Sequence, residues 1–148
     1  MSSISIKRIK KDIEKLKELV PDLQIINKNR EINFKIKGPK DTEYEGGEFT
    51  VNIILSKEYP FKSPSVGFLT RIYHPNIDEL SGSICLDVLN QKWAPTYSLV
   101  NIYNMFLPQL LTYPNPDDPL NELAALLLKT DRKKFAKVVK YYINAYCE

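Results

Sequence analysis

Two cysteines, one histidine, one tryptophan and 5 glycines are all that this chain of 148 residues holds of those types, and each scarcity removes a class of function. Cys85 and Cys147 make neither a disulfide framework nor a CxxC pair, and with His74 as the sole imidazole there are too few soft ligands for a structural zinc site. No metal site is expected. The apolar runs are only a few residues each, and the N-terminal MSSISIKRIKKDI lacks the apolar block of a secretory leader. Neither export nor a membrane contact is therefore predicted, and the chain is expected in the cytosol, the nucleus or both. Nothing in it is of low complexity, and 43% hydrophobic with 26% charged residues is the balance of an ordinary folded protein. The length predicts one domain over 1–148.

What is present is patterned. Ile6, Ile9, Ile13, Leu16 and Val20 recur at three- and four-residue steps among lysines and glutamates, the period of an amphipathic helix, and Pro21 should end it. Leu23 to Ile26, then Ile32, Phe34 and Ile36, then Phe49, Val51, Ile53 and Leu55, then Ser65 to Thr70 read as four strands. The middle two alternate apolar with polar residues, because successive side chains of a strand leave opposite faces. The short connections NKNR, Gly38-Pro39, Gly46-Gly47 and YPFKSP predict an antiparallel meander. Ser98 is predicted to cap a helix through Leu99, Ile102, Tyr103, Phe106, Leu110 and Leu111, in which Pro108 should cause a kink or a break. Leu120, Leu123, Ala124, Leu127 and Leu128 predict a third helix, and Asp131 caps a fourth bearing Phe135, Val138, Val139, Tyr142, Ile143 and Tyr146. Helix, four strands, irregular loop, three helices is an α+β plan.

Between strands and later helices, Tyr73 to Tyr97 shows no sustained period, yet it carries His74, Cys85, Trp93 and two prolines. A structureless stretch of that length in a compact domain is more often functional than accidental. Cysteine is the strongest ordinary nucleophile and needs little help at neutral pH. His74 is either the base of a cysteine–histidine dyad or a ring held by a backbone carbonyl. Asn76 is either a donor to an oxyanion or a turn former bonding nearby backbone. Lys7, Arg8, Lys10, Lys11, Lys15 and Lys17 crowd one segment, and Arg132, Lys133, Lys134, Lys137 and Lys140 another, which suits an acidic protein surface. No aromatic platform accompanies them, so no nucleic-acid partner is expected.

YPFKSP, HPN, Gly82-Ser83-Ile84-Cys85-Leu86-Asp87, Trp93 followed by Pro95, and PNPDDPL occur in that order on this plan. With them the chain resembles the ubiquitin-conjugating enzymes over essentially its whole length. The resemblance implies the ubiquitin-conjugating fold and a transferase in which Cys85 accepts the C-terminal glycine of ubiquitin from an activating enzyme as a thioester. The acyl group would then pass to a substrate lysine or a ligase cysteine. ATP would be consumed upstream by the activating enzyme, with no cofactor on this chain. His74 and Pro75 carry over as structural members of the loop, and Asn76 as oxyanion donor or loop organiser. Asp118 matches the acid that orients or deprotonates the incoming lysine, whose ammonium, with a pKa near ~10.4, cannot attack. With Pro119 as a first helical residue, Asp118 is also predicted to be a helix N-cap. Asp87 is expected to organise the loop and Trp93 to pack; Cys147 receives no role. Lys7, Arg8 and Lys11 match the place where the family meets the activating enzyme and ligases. Phe61, Pro95 and Thr96 match two loops that grip RING-type ligases.

The spacing from Asn76 to Cys85 is one residue longer than the commonest family pattern. Together with LDVLNQKW and NIYNMFLPQLLTYPNPDDPLN, it resembles the branch typified by the human H-type conjugating enzyme, which works with the multi-subunit GID or CTLH ligase. The partners implied are ubiquitin, its activating enzyme, a ligase of that kind and protein substrates.

Overall fold

A computed structural model describes residues 2–147 of the chain. Helix α1 (Ser3–Leu19) begins where the Ser2 hydroxyl accepts the Ser5 N–H at 3.1 Å and ends at Val20, just before the proline. Its inward stripe is Ser5, Ile9, Asp12, Ile13 and Leu16. Ile6, expected on that stripe, is 55% exposed: at about 100° per residue, a face that holds Ser5 and Ile9 turns Ile6 outward.

Strands β1 (Gln24–Ile26), β2 (Glu31–Lys37), β3 (Glu48–Ile54) and β4 (Ser65–Phe68) form one antiparallel sheet in sequential order. Phe34 lies opposite Val51 and Ile36 opposite Phe49, so every second residue of both strands enters the core. β4 is shorter than the apolar run, because the Thr70 hydroxyl, in place of a ladder carbonyl, accepts the Thr50 N–H at 2.8 Å.

Beyond the irregular loop, helix α2 (Leu86–Asn90) is a single short turn and α3 (Leu99–Asn101) opens under a reciprocal cap. The Ser98 hydroxyl accepts the Asn101 N–H, and the Asn101 side chain accepts the Ser98 N–H. The helix then runs without interruption through a π-helical turn, Ile102–Phe106, into α4 (Leu107–Thr112). Pro108 therefore does not break it. Proline lacks an N–H and crowds the carbonyl one turn back, and the wider π turn immediately before it relieves both problems.

Helix α5 (Glu122–Thr130) is capped by Asn121, whose side-chain oxygen accepts the Ala124 N–H at 3.1 Å. The expected Asp118 cap is thus corrected: Asp118 is left-handed at φ 50, whereas a cap needs extended backbone. Because the helix starts later than Pro119, Leu120 and Leu123 are exposed, and the inward residues are Ala124, Ala125 and Leu128. Asp131 caps α6 (Arg132–Tyr146), which buries Phe135, Val139 and Ile143. All these faces meet in one cluster in which Leu16, Ile32, Ile53, Leu99, Leu111 and Phe135 are fully enclosed. Each such side chain contributes on the order of 2 kcal/mol. No helix among the described residues is long and apolar enough to cross a membrane.

Candidate active site

The segment after β4 stays against the edge of that strand. Bridges pair Gly67 with Ser83 and Ile77 with Ile84, and the Phe68 N–H donates to the Gly82 carbonyl at 2.8 Å. Asp78 closes the turn between the paired isoleucines: its carboxylate accepts the Ser81 N–H at 2.8 Å and the Ser81 hydroxyl at 2.7 Å. Those bonds, the hydroxyl's first, hold the Asp78 carboxyl below its ordinary pKa. Gly82 turns at φ 76, where a Cβ would lie 1.9 Å from the Phe68 carbonyl oxygen, so no other residue fits without displacing the strand. The register of this turn sets Cys85 opposite Asn76, with the Cys85 N–H donating to the Asn76 carbonyl at 3.0 Å.

Cys85 is a free, half-buried cysteine at the head of α2. Its carbonyl accepts the N–H groups of Val88 and Leu89 at 3.1 and 3.3 Å, and Leu89 alone of this helix is buried. One inward residue in five leaves the sequence of α2 without a helical period. Asp87 lies exposed in its first turn, where a carboxylate faces unpaired helix N–H groups.

His74 is fully buried beside the Tyr44 ring, at 5.5 Å between centroids. Its Nδ1 accepts the Asn76 N–H at 3.0 Å, so the ring proton resides on Nε2, which donates to the Leu110 carbonyl at 2.8 Å. That carbonyl lies at the end of α4, and the residue four positions on is Pro114, which has no N–H to offer. The imidazole supplies the missing donor. Burial pushes the His74 pKa down to about 4, so the ring is neutral at pH 7 with both nitrogens engaged. No lone pair remains to take a proton from Cys85; of the two readings open in the sequence, the ring is held by a carbonyl.

Asn76 is 1% exposed, and its amide is locked on both sides to one residue. Nδ2–H donates to the Asn115 carbonyl at 2.8 Å and Oδ1 accepts the Asn115 N–H at 2.9 Å. The Pro75 carbonyl accepts the N–H groups of Leu120 and Asn121 at 2.9 and 3.1 Å. His74 thus holds the end of α4, while Pro75 and Asn76 hold the loop that carries Asp118. Asp118 is exposed and joins no ion pair among the described residues; its neighbour Asp117 meets Lys129 at 3.4 Å. A groove of about 230 Å³ opens beside Asn76, between Val88, Gln91, Tyr113 and Asn115. Among the described residues no group of three or more His, Cys, Asp and Glu is placed to hold a metal ion.

The residues expected to meet partners lie apart from this centre in sequence and form their own cluster. Phe61 is 61% exposed and the tips Pro95 and Thr96 are exposed too, while Trp93 donates its indole N–H to the Pro60 carbonyl at 2.9 Å and packs against Tyr59 and Tyr97. Lys7 and Lys11 are exposed on α1. Arg8 instead turns toward the protein, pairing with Asp12 at 3.0 Å and donating to the Pro95 and Tyr97 carbonyls at 2.7 and 2.5 Å. Sequence reasoning gave no role to Asn115, Asn121, Asp12 or Tyr59. All but Asp12 stood inside motifs already noted, Tyr59 opening YPFKSP, Asn115 within PNPDDPL and Asn121 closing NIYNMFLPQLLTYPNPDDPLN.

A family model described as ubiquitin-conjugating enzyme matches residues 6–143. The ubiquitin-conjugating enzyme E2 5 of Arabidopsis thaliana is 50% identical over 149 aligned residues, covering 100% of this chain and 80% of the relative. The ubiquitin-conjugating enzyme E2-24 kDa of Saccharomyces cerevisiae is 46% identical, covering 97% and 66%. Among solved structures, the E2 domain of a Toxoplasma gondii ubiquitin conjugating enzyme superposes with a TM-score of 0.85 at 30% identity, covering 96% of this chain and 98% of that one. The chain belongs to the ubiquitin-conjugating enzyme family, transferases that act through a cysteine thioester and work with ubiquitin, an activating enzyme and ligases.

Proposed function

We propose that Cys85 is the cysteine that carries ubiquitin, that residues 1–148 form a single conjugating core, and that the acyl group leaves for a substrate lysine. The observation that carries this reading is the double engagement of His74. A partly exposed free sulfur, in a chain whose sole imidazole has no free lone pair, suits holding an acyl group and does not suit activating water. A cysteine hydrolase would need that lone pair. Asp118, exposed and unpaired, orients and deprotonates the incoming amine, and Asn76 organises the loop that presents it. His74, Pro75 and Asp87 serve as structure. ATP enters only through the activating enzyme, and the chain itself needs no cofactor.

We further infer that Lys7 and Lys11 face the activating enzyme, that Phe61, Pro95 and Thr96 face a RING-type ligase, and that this ligase is a multi-subunit GID/CTLH-like complex of cytosol or nucleus. Supporting the last point is the lengthened Asn76-to-Cys85 interval, folded without strain into the Asp78–Gly82 turn. Incubation with activating enzyme, ubiquitin and ATP should give an adduct that reductant removes. Cys85→Ala should abolish it and Cys147→Ala should leave it intact. An adduct that survives Cys85→Ala, or none in the native protein, would overturn the assignment.

A further inference from the structure

The two exposed loops around Phe61 and Pro95-Thr96 are joined beneath the surface by one guanidinium and one carboxylate. Asp12 is 3% exposed and Tyr59 is fully buried. The Tyr59 hydroxyl donates to Asp12, and Arg8 Nε donates to both Asp12 oxygens at 3.1 and 3.0 Å. The other two nitrogens of the same guanidinium reach the carbonyls of Pro95 and Tyr97, and the group lies 5.9 Å above the Tyr59 ring. Trp93 closes the arrangement, bonded to the Pro60 carbonyl, tilted against Tyr59 and edge-on to Tyr97. Every donor nitrogen of Arg8 therefore has an intramolecular acceptor, and those acceptors belong to α1 and to one loop while Tyr59 belongs to the other. Planar guanidinium makes several bonds in fixed directions, which a lysine ammonium cannot copy.

We propose that Arg8, Asp12 and Tyr59 are positioning residues for ligase engagement: they fix the separation of the Phe61 loop from the Pro95-Thr96 loop, and Arg8 acts through those loops. This rests on the reading that the two loops grip a RING-type ligase. It goes beyond that reading by moving Arg8 from the contact surface to the frame behind it, and by giving a role to two side chains that no partner can touch.

The test uses the full chain loaded with ubiquitin and an isolated RING domain chosen because it stimulates discharge of the native protein to free lysine. Discharge is followed with and without that domain for Arg8→Lys, Asp12→Asn, Tyr59→Phe and Phe61→Ala. Tyr59→Phe and Asp12→Asn should keep the ligase-free rate, which also reports that they are folded. Both, with Arg8→Lys, should need about tenfold more RING domain for half-maximal stimulation, the scale of one lost charge-assisted bond. Emission from Trp93, the sole tryptophan, should shift in the same variants without any ligase present. Should Asp12→Asn fail to fold, Tyr59→Phe carries the comparison. If Phe61→Ala loses stimulation while the buried variants and Arg8→Lys keep it, the positioning role is overturned and the loop reading stands. If Arg8→Lys alone loses stimulation, Arg8 is a direct contact and the proposal is wrong. Unchanged stimulation in Phe61→Ala would defeat the loop reading itself, and this inference with it.

Discussion

A single histidine shows how far a side chain's role depends on partners remote in sequence. The HPN motif was visible as a string, and Cys85 as the one cysteine inside a segment without period. Whether His74 was a base could not be read there, since the answer lies at Leu110, 36 positions away. Arg8 was hidden in the same way: its loop acceptors are 87 and 89 positions off, and a lysine- and arginine-bearing helix face reads as solvated until they are known. The neutral state of His74 has a consequence for stability. Its pKa is about 4 in the folded protein against 6.5 when free. Between those values the unfolded chain binds a proton that the folded one does not. This contribution is complete above 6.5 and is lost as pH falls toward 4, by about 3 kcal/mol over the window. Urea unfolding at pH 7.5 and 4.5 should show this loss in the native protein. The His74→Gln variant, which does not titrate, should show a fall smaller by about that amount; equal falls would mean that the ring is not held neutral.

Elements divide between those made by their own pattern and those made by contacts. α1, α6, β2 and β3 were legible because each offers several inward residues at a clear period. α2, the π turn and the start of α5 were not, since one buried leucine, a proline relieved by a wider turn, and an asparagine cap three residues past the expected one leave no such trace. The loop of residues 114–121 belongs with the second group, being held by the Pro75 carbonyl and the Asn76 amide. If Asn76 acts by holding this loop, Asn76→Ser should slow transfer to lysine by about tenfold or more and loading much less, and its effect should largely vanish in an Asp118→Ala background. Single-turnover discharge of the four combinations measures this. Fully additive losses would instead point to a separate job for the Asn76 amide at the reacting carbonyl.

At the level of the whole molecule, one apolar cluster unites sheet and helices, and five of the six ion pairs among the described residues have at least one partner more than 40% exposed. Only Arg8 with Asp12 is largely enclosed. Exposed pairs are screened and worth little, so the urea-derived stability should change by less than about 1 kcal/mol between low salt and 1 M sodium chloride. A drop of several kcal/mol would mean that surface charge, rather than the core, holds the fold. The general plan was open to sequence reasoning for the same reason: burial writes periods, whereas polar tethers between remote segments do not. One such tether reaches into the chemistry. Pro114 ends a helix by withholding a hydrogen, the lone imidazole answers it, and the thiol is left solitary as a result. Changes confined to Cys85 itself therefore cannot convert this protein into a hydrolase using that ring, because freeing the imidazole first requires a different ending for α4.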